Sequence, residues 1–170
     1  YVISEWIVNA SESDGVVVFG TNSYFTIKGV RIQGKGLSTG ISLDRVENGK
    51  VEDSFIVNNF IAVYAFRSHN LEFVNNTLEE NEYGIHLESS NSNRISSNHF
   101  NRIGQVAIFV RGQQNSVMEN VVRGAFGGIN IDGTAGGADD NVVVQNSIMD
   151  TTTYGIGVWR AARTLVRSNI

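Results

Sequence analysis

Residues 83–100 read YGIHLESSNSNRISSNHF. Apolar residues alternate at Ile85 and Leu87, pause through a polar gap, and return at Ile95. An Asn, Asn98, then stands two residues ahead of Phe100. Alternation over so few residues marks a short, half-buried strand, and the Ser- and Asn-rich gap marks a turn. Whether this pattern recurs decides the fold.

It recurs along the whole chain. The phrase apolar-x-x-Asn-x-apolar fits Phe73-Asn76-Leu78, Ile95-Asn98-Phe100, Val117-Asn120-Val122 and Val143-Asn146-Ile148. Weaker copies precede these at Val51-Ser54-Ile56, Ile27-Val30-Ile32 and Ile3-Trp6-Val8, and a partial copy follows at Val166-Asn169. Successive first positions are 24, 24, 22, 22, 22, 26 and 23 residues apart. Each unit also carries a second phrase, a small residue followed by apolar-x-apolar. Examples are Gly40-Ile41-Ser42-Leu43, Gly84-Ile85-His86-Leu87, Ala107-Ile108-Phe109-Val110 and Gly128-Ile129-Asn130-Ile131. No window sustains a period of 3.6, so a helical or leucine-rich solenoid is excluded.

A repeat of this length with period-2 phrases is one coil of about three short strands. Stacked coils pair each strand in parallel with its equivalents ~4.8 Å above and below. The expectation is an all-β, single-stranded parallel β-helix of about seven coils of 22–26 residues, one domain over residues 1–170, with an Asn turn ladder. Asn is expected at the turn because it tolerates the left-handed backbone region and because its amide can bond the next coil's Asn. The small residue before the third strand is expected to supply a positive φ.

Composition narrows the function. There is no Cys and no Pro, with 18 Gly and a formal charge of −4. Disulfides and thiolate chemistry are excluded, and a negative chain does not suit general phosphate neutralisation on nucleic acid. No apolar run approaches the ~20 residues of a membrane span.

The phrases Asn93-Arg94-Ile95-Ser96-Ser97-Asn98-His99-Phe100 and Asn141-Val142-Val143-Val144-Gln145-Asn146-Ser147-Ile148, with the Gly-Ile-x-Leu strands, resemble the right-handed parallel β-helix repeat of the pectate-lyase-like superfamily, in the style of NosD-like repeats. The resemblance covers the full chain. It implies a right-handed coil, an extracellular or periplasmic location, and a polysaccharide substrate held along the outer face of the third strand. Its members include lyases, hydrolases, epimerases, tailspikes and non-catalytic surface proteins. The Asp-Pro-His motif of alginate epimerases and the Gly-His-Gly and Arg-x-Lys motifs of pectin hydrolases are absent. Because β-helices end in caps, flanking domains of a longer chain or a homo-oligomeric partner are expected to cover the two ends.

Inward residues build the coil, so function falls to the outward ones. On the third strand, one outward column reads Val17, Ser42, Tyr64, His86, Phe109, Asn130, Gly157. The next reads Phe19, Asp44, Phe66, Glu88, Arg111, Asp132, Trp159. The candidate catalytic set is His86, Glu88, Arg111, Asp132 and Tyr64. Glu88 and Asp132, two coils and ~9–10 Å apart by strand spacing, suit a pair of inverting carboxylates. In a lyase or epimerase, Arg111 would neutralise a uronate and His86 or Tyr64 would take its α-proton. The same Glu88–Arg111–Asp132 run is equally a charge-balanced ladder. Candidate substrate contacts are Asp44, Phe66, Phe109, Asn130, Trp159 and Arg160, the aromatics serving as sugar platforms or as a contact for a protein partner. His69 and His99 read as solvated turn residues, and no His set is spaced for a metal. The stretch DGTAGGADDN, residues 132–141, reads either as a candidate Ca²⁺ site through Asp132, Asp139 and Asp140 or as an ordinary Gly-rich insertion.

Overall fold

The computed structural model describes residues 1–170 and consists of strands alone. Each coil contributes one strand to each of three faces, A, B and C. A central coil supplies Glu72–Val74 to face A, Thr77–Glu79 to face B and Tyr83–Glu88 to face C. Every pairing is parallel and joins equivalent residues of neighbouring coils: Phe73 lies between Val51 and Ile95, and Leu78 between Ile56 and Phe100. Face A is an eight-stranded sheet from Val2–Ser4 to Leu165–Arg167. Faces B and C fuse where His99–Arg111 and Val121–Asp132 run unbroken through the corner between them. An irregularity between Ile103 and Val106 absorbs one extra residue there, so Phe109 still lands beside His86.

The core is a single column of 32 apolar side chains. Face A gives Ile27, Val51, Phe73, Ile95, Val117 and Val143. Face B gives Ile32, Ile56, Leu78, Phe100 and Val122, and face C gives pairs such as Ile85/Leu87 and Ile129/Ile131. All are almost fully buried, each stacked on its equivalent above and below, which is why a shift of one residue would expel the whole set.

The Asn ladder forms, but only half for the expected reason. Asn98 is fully buried. Its Nδ2 donates to Phe73 O at 2.8 Å, to Ser96 O at 3.0 Å and to Asn120 Oδ1 at 3.0 Å, while its Oδ1 accepts from the Asn76 backbone N–H at 2.9 Å. Asn76, Asn120 and Asn146 repeat this, and Asn169 ends the run. The left-handed backbone lies one residue earlier, at Asp53, Asn75, Ser97, Glu119 and Gln145, with φ from 53° to 57°. Ladder Asn residues are therefore selected for their amides and not for tolerance of positive φ. A second Asn ladder, Asn93–Asn115–Asn141, closes the corner between faces C and A.

The glycines before face C also differ from expectation. Gly15, Gly40, Gly84 and Gly128 do not have positive φ. They are small because the corner is crowded: a Cβ on Gly84 would lie 2.1 Å from Ala107 O, and one on Gly128 would lie 2.2 Å from Gly155 O. Ala62 and Ala107 show that the same corner accepts a methyl where the local spacing allows it.

Candidate functional site

Parallel register assembles the two outward columns of face C as expected. Ser42, Tyr64, His86, Phe109, Asn130 and Gly157 are successive partners, and Asp44, Phe66, Glu88 and Arg111 form the adjoining file, which ends with Asp132 beside Trp159. The rings touch along the axis. Tyr64 meets His86 edge-on at 5.4 Å between centroids, and His86 meets Phe109 at 4.5 Å. Tyr64 and Phe66, two residues apart on one strand, stack at 6.4 Å with planes 15° apart. Trp159 is half exposed and its indole folds back over Gly157, where a Cβ would meet Nε1 at 2.8 Å.

A third outward column lies at the start of the face: Tyr83, whose ring packs on Phe60 at 5.6 Å and on His86 at 6.2 Å, and Tyr154, which packs on Trp159 at 6.4 Å. Sequence reading missed these residues. The alternation it relied on breaks at the crowded corner, where Gly84 and Ile85 are both buried. A Tyr before the Gly of two of the phrases was the available signal.

Charges on the face are already matched. The Arg111 guanidinium bridges two carboxylates: its Nη1 lies 3.0 Å from Glu88 Oε2 and its Nη2 lies 2.5 Å from Asp132 Oδ2. It also lies 5.1 Å from the centroid of the Phe109 ring. Burial alone would raise the Asp132 carboxyl, but hydrogen bonding from Thr134 and then Arg111 outweighs it and holds the group below its usual range. A hydrolase acid needs the opposite shift. Arg111 is pushed up, first by its bond to Asp132, with Glu88 adding to the effect. Burial lowers the His86 imidazole, against the pull of Glu88, and keeps it neutral. Its Nε2 is 3.6 Å from Glu88, beyond hydrogen-bonding range, and its Nδ1 is buried without a partner. Burial, followed by the Glu88 charge, raises the Tyr64 phenol, away from the phenolate that a base requires. The five residues are thus brought together as a cluster of bridged charges and packed rings.

The remaining sequence-derived candidates are dispersed. Asp44 takes Arg45 through Nε at 3.1 Å and Nη2 at 3.2 Å. Asn130 follows Phe109 in its column with a buried Oδ1 left unbonded. Arg160 is exposed in the turn beyond Trp159 with φ 48°. The three Ca²⁺ candidates do not converge. Asp132 is held by Arg111, Asp140 pairs with Arg163 at 2.5 and 2.8 Å, and Asp139 accepts from the Ala162 N–H at 2.8 Å. No group of three His, Asp or Glu side chains in the chain is placed to hold a metal. Residues 133–140 instead clip the loop to the following coil. His69 is tied into its turn, its Nδ1 accepting from the Asn91 N–H at 3.0 Å. His99 is not a turn residue: it opens the long strand His99–Arg111 and faces outward from face B.

A parallel three-faced coil with Asn ladders defines a class of protein, and the family comparison agrees. The chain belongs to the right-handed β-helix family, whose model, described as "Right handed beta helix region", matches residues 14–170. No curated protein matches it. Among solved structures it is similar to ORF18 of Geobacillus virus E2, at 12% identity and a TM-score of 0.43, over 96% of this chain and 52% of that one. The chain therefore spans about half the length of that structure.

Proposed function

We propose that the chain is an extracellular or periplasmic β-helix that binds an extended polysaccharide along face C, without cleaving it. One observation carries the reading: Tyr64, His86 and Phe109 form a continuous strip of rings along the axis, at coil spacing, with Phe66 stacked beside Tyr64 and the Glu88–Arg111–Asp132 ladder flanking it. Aromatic faces with polar edges are the usual platform for a chain of sugar rings. Binding is favoured over processing because the charged groups a lyase or hydrolase would use are already engaged. Arg111 is bridged, Asp132 is held ionised, and Nδ1 of His86 is closed off.

The test is calorimetric titration with acidic and neutral oligosaccharides, the products being read by mass spectrometry. The reading expects binding without new products. It expects the double change Phe66→Ala with Trp159→Ala to weaken binding about tenfold, taking ~0.5–1.5 kcal/mol per lost aromatic contact. Unsaturated or water-added fragments would restore an enzyme reading. A second reading, a non-catalytic scaffold whose rings meet a protein, draws on the exposed Phe19 and Trp159 at opposite ends of one column. A stable oligomer that buries both would favour it.

A further inference from the structure

The largest concavity of the molecule is not on face C. It is a groove of about 920 Å³ on the outside of face B, beside the A/B corner, crossing four coils from Phe55 to Arg123. Its size is at the upper end of that of small-ligand sites.

The polar groups of the groove divide into spent and unspent. The acids are spent. Asp53 takes Asn75 Nδ2 at 2.8 Å and Lys28 at 3.4 Å, while Glu79 and Glu80 hold Arg102 at 2.5 and 2.7 Å. Asn101 is also bound to Glu79, at 3.1 Å. Three groups remain without a hydrogen-bond or ion-pair partner of ordinary strength: the Thr77 hydroxyl, the His99 imidazole and the Arg123 guanidinium. Arg123 has only the Met149 sulfur at 3.9 Å. Register makes the three neighbours, since Thr77 pairs with His99 and Asn101, two residues beyond His99, pairs with Arg123. Phe55 and Val121 give the groove apolar contact surface, with Arg31 covering one side of the Phe55 ring at 4.6 Å. After matched charges are removed, what is left is three donors and no free carboxylate.

We propose that this groove is a second ligand site, separate from face C, for a hydroxyl-rich ligand carrying a sulfate or phosphate monoester. Such an ester offers three terminal oxygens to three donors, whereas a carboxylate offers two. Arg123 takes two oxygens as a fork, His99 and Thr77 cap the third, and the carbon skeleton lies on Phe55 and Val121. The proposal does not depend on the face C reading.

The test titrates the intact protein with a sulfated disaccharide, a sugar phosphate monoester and their neutral parent, by amide chemical-shift mapping and calorimetry. The esters are expected to shift the amides of Thr77, His99, Val121 and Arg123, and the neutral parent to shift them little. Whichever ester binds more tightly identifies the source. Arg123→Ala is expected to cost about tenfold in ester affinity, and the loss is expected to shrink at high salt. Shift mapping on the unaltered protein keeps the test valid should a variant fold poorly. Equal affinity for ester and neutral parent, shifts confined to face C, or no effect of Arg123→Ala would overturn the site.

Discussion

Asn98→Ala tests the ladder that closes the corner between faces A and B. The change removes an amide that donates at 2.8, 3.0 and 3.0 Å and accepts the Asn76 N–H at 2.9 Å. The consequences are unequal. Asn76 Nδ2 keeps Val51 O at 2.9 Å, and Asn120 Oδ1 keeps the Asn98 N–H at 3.0 Å. The Asn76 backbone N–H keeps nothing, in a site 1% exposed. An orphaned buried donor costs about 1–3 kcal/mol, and each lost amide bond a net ~1 kcal/mol. The expected total is about 3–5 kcal/mol, which for a chain of this size lowers the melting temperature by about 10 °C. Urea denaturation followed by circular dichroism measures it. Asn169→Ala, at a partly exposed rung of the same ladder, is expected to cost less than half as much. Asn98→Asp is expected to be worse than Ala at neutral pH. A carboxylate there meets the three oxygens that now receive its protons, and acidification should recover part of the loss. An Asn98→Ala loss below ~1 kcal/mol, or one equal to that of Asn169→Ala, would refute the reasoning.

Gly84→Ala is expected to destabilise by about 2 kcal/mol or more, because the new methyl meets the Ala107 carbonyl. Gly155→Ala, whose Cβ has only Ile148 Cγ2 at 3.8 Å, is expected to be neutral or to stabilise by about 0.4–1 kcal/mol, and the same denaturation curves compare them. His86 is half-buried and neutral with a lowered pKa, so the unfolded chain binds the extra proton. Stability should fall as pH drops below the unfolded value of about 6.5, and His86→Phe should flatten that slope in melts taken across the range. Asp132 has a lowered pKa, so its contribution is present above the unfolded carboxylate range and lost as pH falls through the folded value. Asp132→Asn should blunt that acid limb. Arg111→Ala leaves Glu88 and Asp132 facing an emptied centre and should lower the melting temperature, whereas Trp159→Ala should barely move it.

The fold was legible in the sequence because β-helix physics is repetitive. Inward side chains recur at fixed phase, and a few phrases such as Gly84–Leu87 and Asn93–Phe100 set strand, face and register together. The columns of face C followed from period 2 alone. What stayed hidden depends on atoms that periodicity does not describe. The left-handed residue sits at Ser97 and not at Asn98, since the buried amide and the strained φ are separate requirements of one turn. Gly84 is set by a carbonyl one coil away, a contact visible only once coils are stacked. The acid–Arg–acid column was readable as a ladder or as a catalytic pair. That Arg111 reaches both carboxylates is a matter of rotamers, which periodicity does not describe. Tyr83 and the groove on face B were missed, and His99 was placed in a turn, because each lies where alternation breaks or where outward residues look unremarkable singly.

Amide chemical-shift mapping with a panel of neutral and acidic oligosaccharides tests the central claim most directly. The account predicts saturable shifts along Tyr64, Phe66, Phe109 and Trp159, with the oligosaccharides recovered intact. Absence of any shift on face C, together with a concentration-dependent oligomer that protects Phe66, Phe109 and Trp159, would contradict it and assign the aromatic strip to a protein contact.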